Sequence, residues 1–236
     1  MNKIDVCFSP ELIKLYDIQE KVVVVTDILR ATSCITTGIA HGVKSITPVA
    51  TLEECKTLQA KGYIAAAERG GQKVEGFDLG NSPFSYMNES FRGKKVAVTT
   101  TNGTLSIDLS RDAAQVVIGS FLNLTAVVNY LKSQNRDILV FCAGWKGKFN
   151  LEDTLFAGAV VELLKENFEL ACDAPQAAQI LYNQSKDDLL VALANSAHLN
   201  RLKNFNTMKD VEFCLTPDQY DVIPVLQGDE LVQLEN

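Results

Sequence analysis

Five acidic residues of this chain occupy positions from which side chains commonly do chemistry. They lie at the ends of predicted strands, in the loops that follow, or in the first turn of a predicted helix. Carboxylate oxygens are the hard ligands that Mg²⁺ prefers, often together with water and a substrate phosphate. The five are Asp27, Glu68, Asp78, Glu152 and Asp153. They are candidate Mg²⁺ ligands, although each alone is also explained as a strand end, a turn or a helix-dipole residue.

The segment VAVTTTNGTLSI, residues 96–107, passes from an apolar strand through small polar residues into a helix-compatible pattern. At such a junction, free backbone N–H groups and the helix dipole favour a negative charge. The local donors are Thr100, Thr101, Asn102 and Gly103. Neither the Walker A nor the dinucleotide-binding glycine pattern is present. The segment is typical of an anion site, but a capped helix start with a glycine turn explains it about as well.

Other loops after predicted strands also offer hydrogen-bond donors or positive charge. The candidates are Arg30, Asn81, Ser120, Asn123, Lys146 and Lys148. Ordinary turn chemistry and surface exposure are the competing explanations for each of them.

The composition narrows the class of protein. A net charge of -7 argues against a nucleic-acid partner. The two histidines, His41 and His198, lie outside these loops, which disfavours a zinc hydrolase or a Ser-His-Asp triad. The 6 cysteines include no C-x-x-C pair and are expected to be reduced core thiols. Since no apolar run approaches the roughly 18 residues of a membrane span, we expect a soluble, cytoplasmic protein without a membrane partner.

Apolar runs of strand type alternate with helix-compatible segments along most of the chain. Strands are predicted at 21–27, 45–50, 63–68, 94–100, 114–120 and 137–144, and helices at 33–42, 51–62, about 104–110, 122–134 and 152–166. This alternation predicts an α/β fold, a mostly parallel sheet with helices on both faces. Residues 173–210 are predicted to be helix-rich, and 211–234 to add one or two short strands. We expect one domain over 1–236, with room for a C-terminal lobe at about 170–236.

In such folds the ligand binds outside the carboxyl ends of the strands. The five carboxylates and the donor-rich loops would therefore meet at one edge of the sheet. Carboxylates near an anion site require a metal ion to neutralise them. Together these features indicate Mg²⁺-assisted chemistry on a small anionic phosphate ester.

Five stretches, in order and spacing, resemble the 2-phosphosulfolactate phosphatase, or ComB-like, family. They are VTDILRATSCITTGIAHG, GFDLGNSP, VAVTTTNGT, VIGSFLN and CAGWKGKFNLEDTLFAG. The resemblance covers nearly the whole chain. It implies the family's own α/β phosphatase fold and Mg²⁺-dependent hydrolysis of (2R)-O-phospho-3-sulfolactate to (2R)-3-sulfolactate and phosphate, a step of coenzyme M biosynthesis.

With that reaction as the hypothesis, roles can be assigned to the candidates. Asp27, Glu68 and Asp78, helped by Glu152 or Asp153, would hold Mg²⁺. The loop of residues 100–103 would hold phosphate or sulfonate oxygens, and the basic and amide candidates the remaining acid groups. Asp27, Asp153 and Glu152 are the candidate catalytic residues. Whether water attacks directly or a phosphoenzyme forms stays open.

Three alternatives compete with this hypothesis. A haloacid-dehalogenase-type phosphatase is disfavoured because the position two residues after Asp27 is Leu29 rather than a second aspartate. The same fold acting on another phosphorylated hydroxy acid is the second alternative. The third is a non-catalytic protein that binds an anion.

A homodimer is compatible with the apolar C-terminal part, and so is burial of that part within one chain.

Overall fold

The computed structural model describes residues 1–205 and 207–235, and within them the chain forms eleven strands and nine α-helices. The strands are β1 (Lys3–Cys7), β2 (Val22–Thr26), β3 (Ser45–Pro48), β4 (Ile64–Arg69), β5 (Gln72–Lys73), β6 (Lys95–Thr99), β7 (Gln115–Gly119), β8 (Ile138–Cys142), β9 (Glu169–Leu170), β10 (Pro224–Gln227) and β11 (Glu230–Gln233). The helices are α1 (Ala31–Ala40), α2 (Leu52–Ala60), α3 (Gly103–Leu109), α4 (Leu124–Ser133), α5 (Leu151–Leu164), α6 (Asp173–Ser185), α7 (Leu189–Leu193), α8 (Ala197–Lys203) and α9 (Met208–Cys214).

The strands form one mixed sheet in the order β5-β4-β6-β3-β11-β10-β7-β2-β8-β1-β9. Two groups within it are parallel: β4, β6 and β3 form one, and β7, β2, β8, β1 and β9 form the other. The C-terminal hairpin β10–β11 lies between them and pairs antiparallel with both. The α/β fold with a mostly parallel sheet is thus confirmed.

Strand β2 shows why helices cover both faces of the sheet. Its sequence, VVVVT, is buried at every position. Successive side chains of a strand point to opposite faces. Val22 and Val24 pack into the core formed with α4 to α9, whereas Val23 and Val25 pack into the core formed with α1 and α3. A continuous run of β-branched residues is therefore what a strand buried on both faces requires.

The predicted elements agree with the structure to within a few residues at their ends. Strand β1 was not predicted, because its alternation of polar and apolar residues is short and lacks the continuous apolar run of β2. Pairing with β8 on one side and β9 on the other stabilises it instead. The helix-rich segment is confirmed as α6 to α9, and the short strands near the C-terminus as β10 and β11. The division into domains stays a prediction.

All six cysteines are free thiols, and five of them are buried, as expected of core residues. Cys172 is the exposed one. No helix in residues 1–205 or 207–235 combines the length and the apolarity needed to cross a membrane.

Candidate functional site

The loops that follow strands of both parallel groups meet at one small pocket, here called the acidic pocket. Asp27 follows β2 and Trp145 lies beyond β8, whereas Glu68 is the next-to-last residue of β4 and Thr101 lies beyond β6. The remaining lining residues are Leu29, Arg30, Gly71, Asn81, Asn102, His198, Arg201 and Leu202. The cavity has a volume of only about 20 Å³, room for roughly one water-sized group.

Asp27 lines the acidic pocket and is buried. Its Oδ1 accepts a hydrogen bond from the Ala31 N–H at 3.3 Å, at the start of α1. Burial raises the pKa of Asp27 to about 6, and the nearby Glu68 and Glu152 carboxylates act in the same direction, while His198 opposes the rise. Mutual repulsion of this kind shows that the carboxylates share one electrostatic environment.

Glu68 bridges two loops around the pocket. Its Oε1 accepts a hydrogen bond from the Gly71 N–H at 2.5 Å. Its Oε2 lies 3.4 Å from both the N–H and the hydroxyl of Thr101, which donate to it. Part of the donor set predicted to hold a ligand anion is therefore directed at a carboxylate of the protein itself.

Glu152, in the first turn of α5, is fully buried beside the pocket. Its Oε1 accepts a hydrogen bond from Asn150 Nδ2 at 3.1 Å and shares another with His198 Nδ1. Its Oε2 is buried without a hydrogen-bond partner among the residues that the structure describes. A buried carboxylate oxygen normally has a partner, so this atom is suited to a ligand.

Unlike Glu152, Asp153 has a hydrogen-bond partner within the protein for each of its carboxylate oxygens. Its Oδ1 accepts a hydrogen bond from the Ile28 N–H at 2.9 Å, and its Oδ2 accepts one from the Gly144 N–H at 3.1 Å. Burial raises the pKa of Asp153 well above the usual range, with Glu152 and Asp27 adding to the rise and the Ile28 N–H opposing it. Since each oxygen has a backbone partner, Asp153 holds the loops after β2 and β8 together.

Arg30 also makes internal contacts. Its guanidinium forms a buried ion pair with Asp210 of α9 and donates to the Gly71 carbonyl at 3.0 Å. Asp210 in turn accepts a hydrogen bond from the Ser82 hydroxyl at 2.8 Å. Arg30 lines the acidic pocket, but these partners occupy much of its donor capacity.

The polar loop before α3 makes hydrogen bonds to its own helix as well as offering donors to the pocket. Thr100 Oγ1 accepts a hydrogen bond from the Thr104 N–H at 3.2 Å. Gly103 fits because a Cβ there would lie 2.6 Å from Ala31 Cβ and 3.0 Å from Asp27 Oδ2. Asn102 Oδ1 accepts a hydrogen bond from the Lys146 N–H at 3.3 Å. The glycine thus allows α3 to approach the start of α1.

Several candidates lie apart from the pocket or at its rim. Asp78 is exposed, and its Oδ2 accepts from the Ala65 N–H at 2.8 Å, near the opposite end of β4 from Glu68. Ser120 and Asn123 are buried and hydrogen-bond one another. The other two candidates are Lys146 and Lys148, which are exposed.

Asn81 was selected from its turn sequence, and the structure does place it at the pocket. It is buried, and its Oδ1 has no hydrogen-bond partner among the described residues. It therefore stays a candidate for contact with a bound group.

Sequence reasoning missed the contribution of the C-terminal helices. His198 and Arg201 of α8 line the pocket, as does Trp145, and Asp210 of α9 pairs with Arg30. Both helix residues belong to a segment whose pattern predicts helix and nothing about its position. An arginine three residues after one of only two histidines was the available signal.

Three of the carboxylates belong to the same electrostatic cluster, but their side chains are not arranged as a formed metal site. Within residues 1–205 and 207–235, no group of three or more His, Cys, Asp or Glu side chains is placed to hold a metal ion together. The oxygen donors and the unpartnered Glu152 oxygen nevertheless have the chemistry of hard-cation ligands.

Fold and site together define an α/β protein with a small acidic pocket where the carboxyl ends of several strands meet. Residues 7–229 match the family model of 2-phosphosulpholactate phosphatase. A protein of Caldanaerobacter subterraneus subsp. tengcongensis, named probable 2-phosphosulfolactate phosphatase, is 41% identical over 218 residues, which cover 90% of each chain. Proteins of the same name from Thermotoga petrophila and Thermotoga maritima are 45% and 43% identical, each over 86% of this chain and 88% of the relative.

The chain belongs to the 2-phosphosulfolactate phosphatase family. The resemblance drawn from the five sequence stretches is thereby confirmed, as is the prediction of a phosphoric monoester hydrolase at the level of the family.

Proposed function

We propose that this protein is a cytoplasmic, Mg²⁺-dependent phosphatase that hydrolyses (2R)-O-phospho-3-sulfolactate to (2R)-3-sulfolactate and phosphate. Its family membership and the names of its relatives support the substrate. The observation that carries the chemistry is the acidic pocket, whose Asp27 and Glu68 share one electrostatic environment with Glu152 beside it.

Asp27, Glu68 and Glu152 are the residues that would hold Mg²⁺. All three are buried, and Glu152 Oε2 lacks a partner among the described residues. A bound Mg²⁺ would supply positive charge that stabilises the phosphoryl oxygens during transfer. Asp78, which the sequence also nominated, is not part of this proposal because its carboxylate faces the Ala65 N–H instead.

The protein's own groups position the reaction. Asp153 fixes the loop carrying Asp27 relative to the loop carrying Trp145, through its bonds to Ile28 and Gly144. His198 fixes the orientation of the Glu152 carboxylate. Such fixed orientation contributes to catalysis because the reacting groups need no rearrangement during the reaction.

The substrate would approach from a second, larger cavity beside the acidic pocket, here called the adjoining cavity. It has a volume of about 650 Å³ and shares Trp145, His198 and Arg201 with the acidic pocket. The acidic pocket alone is too small for a phosphorylated organic acid.

The test is phosphate release from 2-phosphosulfolactate by the purified protein, with Mg²⁺ and with excess chelator. We expect release with Mg²⁺ and none with chelator, restored when Mg²⁺ is added in excess. Release that is unaffected by chelator would contradict the metal dependence. No release under either condition would contradict the proposed reaction.

The size of the adjoining cavity also favours a second candidate, the hydrolysis of a larger phosphorylated hydroxy acid by the same site. A panel of such esters, compared by kcat/KM, separates the two. The sulfolactate ester should be preferred by at least about tenfold if it is the substrate for which the site is shaped.

A further inference from the structure

Arg201 occupies the boundary between the acidic pocket and the adjoining cavity. It lies on α8 and lines both spaces. Its guanidinium packs over the Trp145 ring, with 4.0 Å from Cζ to the ring centroid. Stacking on an aromatic face holds a guanidinium in one orientation while leaving its N–H edge available.

The donors of Arg201 are not used by the protein in the way that those of Arg30 are. Arg201 Nε is buried and has no hydrogen-bond partner among the described residues. Arg30, by contrast, is paired with Asp210 and bonded to the Gly71 carbonyl. Leaving a buried donor unpaired costs free energy, so such a group in a pocket is suited to receive an acceptor from a ligand.

The surrounding charges decide whether Arg201 is available to an anionic ligand. Burial lowers the pKa of Arg201, and the carboxylates of Glu68, Glu152 and Asp27 oppose the lowering from nearby. None of these carboxylates forms an ion pair with Arg201 within the described part of the chain. If a metal ion neutralises them, the Arg201 charge remains available to the substrate.

We propose that Arg201 binds the carboxylate or sulfonate of the substrate and selects phosphate esters that carry such a second acid group. The inference rests on the proposed phosphatase function. A planar guanidinium can hold either acid group through paired hydrogen bonds. The phosphoryl group would lie in the adjoining cavity where it meets the acidic pocket, and Trp145 would keep the guanidinium directed at the acid group.

Four phosphate esters test this proposal with wild type and Arg201→Gln. They are 2-phosphosulfolactate, 2-phospholactate without the sulfonate, phosphorylated 2-hydroxyethanesulfonate without the carboxylate, and isopropyl phosphate without either. We expect kcat/KM of the variant to fall about 100-fold on every ester that carries the acid group Arg201 holds, and less than threefold on isopropyl phosphate. The two singly acidic esters show which acid group is held.

Equal losses on all four esters, or no loss on any, would overturn the proposal. Lys203→Gln removes an exposed positive charge from the same helix and should leave all four rates unchanged. Thermal melting of each variant reports on folding. If Arg201→Gln fails to fold, Arg201→Lys replaces it, because lysine keeps the charge without the planar fork. The losses of kcat/KM in Arg201→Lys should rank the four esters in the same order.

A binding measurement separates failure of this inference from failure of the proposed reaction. Calorimetric titration with (2R)-3-sulfolactate, which has no phosphoryl group, should show binding to the wild type and at least tenfold weaker binding to Arg201→Gln. That result supports the role of Arg201 even if no ester is hydrolysed. Absence of binding to the wild type, or equal binding to both proteins, would overturn the role of Arg201 whatever the activity.

Discussion

Asp153 Oδ1 accepts a hydrogen bond from the backbone N–H of Ile28 at 2.9 Å, across 125 residues of sequence. The bond ties the start of α5 to the loop that carries Asp27. A carboxylate selected from the sequence as a candidate base or metal ligand thus has a positioning contact in the folded chain.

Asp153→Asn should destabilise the protein by about 1 to 3 kcal/mol, because one backbone N–H would then face an amide N–H₂ instead of an acceptor oxygen. Urea unfolding measures the difference. Asp173→Asn is the control, since Asp173 is an exposed residue of the first turn of α6. Equal stability of the two variants would contradict the positioning role.

Asp27→Asn and Asp78→Asn separate the pocket from the outlying carboxylate. Asp27 is buried in the acidic pocket, whereas Asp78 is exposed and bonded to the Ala65 N–H. We expect kcat of Asp27→Asn to fall at least about 100-fold and that of Asp78→Asn less than threefold. Steady-state kinetics at saturating Mg²⁺ provides the comparison. A large loss in Asp78→Asn would restore the metal role that the sequence predicted for it.

Gly103→Ala tests the close approach between α3 and α1. The added Cβ would lie 2.6 Å from Ala31 Cβ, so the helices must separate, at a cost of about 1 to 3 kcal/mol. Helix propensity alone predicts the opposite sign, since alanine is favoured over glycine. Thermal melting decides between them. Adding Ala31→Gly should recover part of the loss, and a stabilised Gly103→Ala protein would show that the contact relaxes freely.

Glu162 should contribute stability that disappears in acid. Its carboxylate accepts hydrogen bonds from Lys165 at 2.7 Å and from Gln179 and Asn183 at 2.8 Å, linking α5 to α6. These bonds lower the pKa of Glu162 to about 2, from an ordinary 4.5. A lowered folded-state pKa gives stability that is present above pH 4.5 and lost as the pH falls through about 2.

Glu162→Gln should therefore be less stable than the wild type at pH 7. The difference in free energy of unfolding between the two proteins should disappear as the pH falls from 4.5 to about 2. Urea unfolding between pH 7 and pH 2 measures it. Glu166→Gln, at an exposed position near the end of the same helix, should show no comparable gap. A difference in free energy of unfolding that does not change with pH would mean that packing rather than ionisation of Glu162 causes the loss of stability.

The local patterns that sequence reasoning used are those with a direct physical cause. The VVVVT run lies within the strand predicted at 21–27, and the helix predicted at 51–62 begins in the structure at a Thr51 capping box. Strand β1 has no comparable signal, because its stability comes from pairing with β8 and β9. Sequence predicts an element well where neighbouring residues are enough to stabilise it, and it fails where the element depends on pairing with distant strands.

The residues of the acidic pocket also fall into two groups, those that local sequence could nominate and those that only tertiary packing places there. Asp27 directly follows β2, Glu68 is the next-to-last residue of β4, and Thr101 lies two residues beyond β6, so their positions near strand ends nominated them. Asp78 was nominated by the same rule, but its loop turns back and bonds to the Ala65 N–H. His198 and Arg201 reach the pocket only because α8 packs near the loops of β2 and β8.

The sequence by itself determined the family, the α/β class and the strands whose ends carry Asp27 and Glu68, since these depend on residue order and local periodicity. Tertiary structure alone decided that the hairpin β10–β11 lies between the two parallel groups, that Arg30 pairs with Asp210, and that Arg201 stacks on Trp145. Those contacts join residues far apart along the chain. No local pattern specifies them, because they form only when the packing of the whole core brings their partners together.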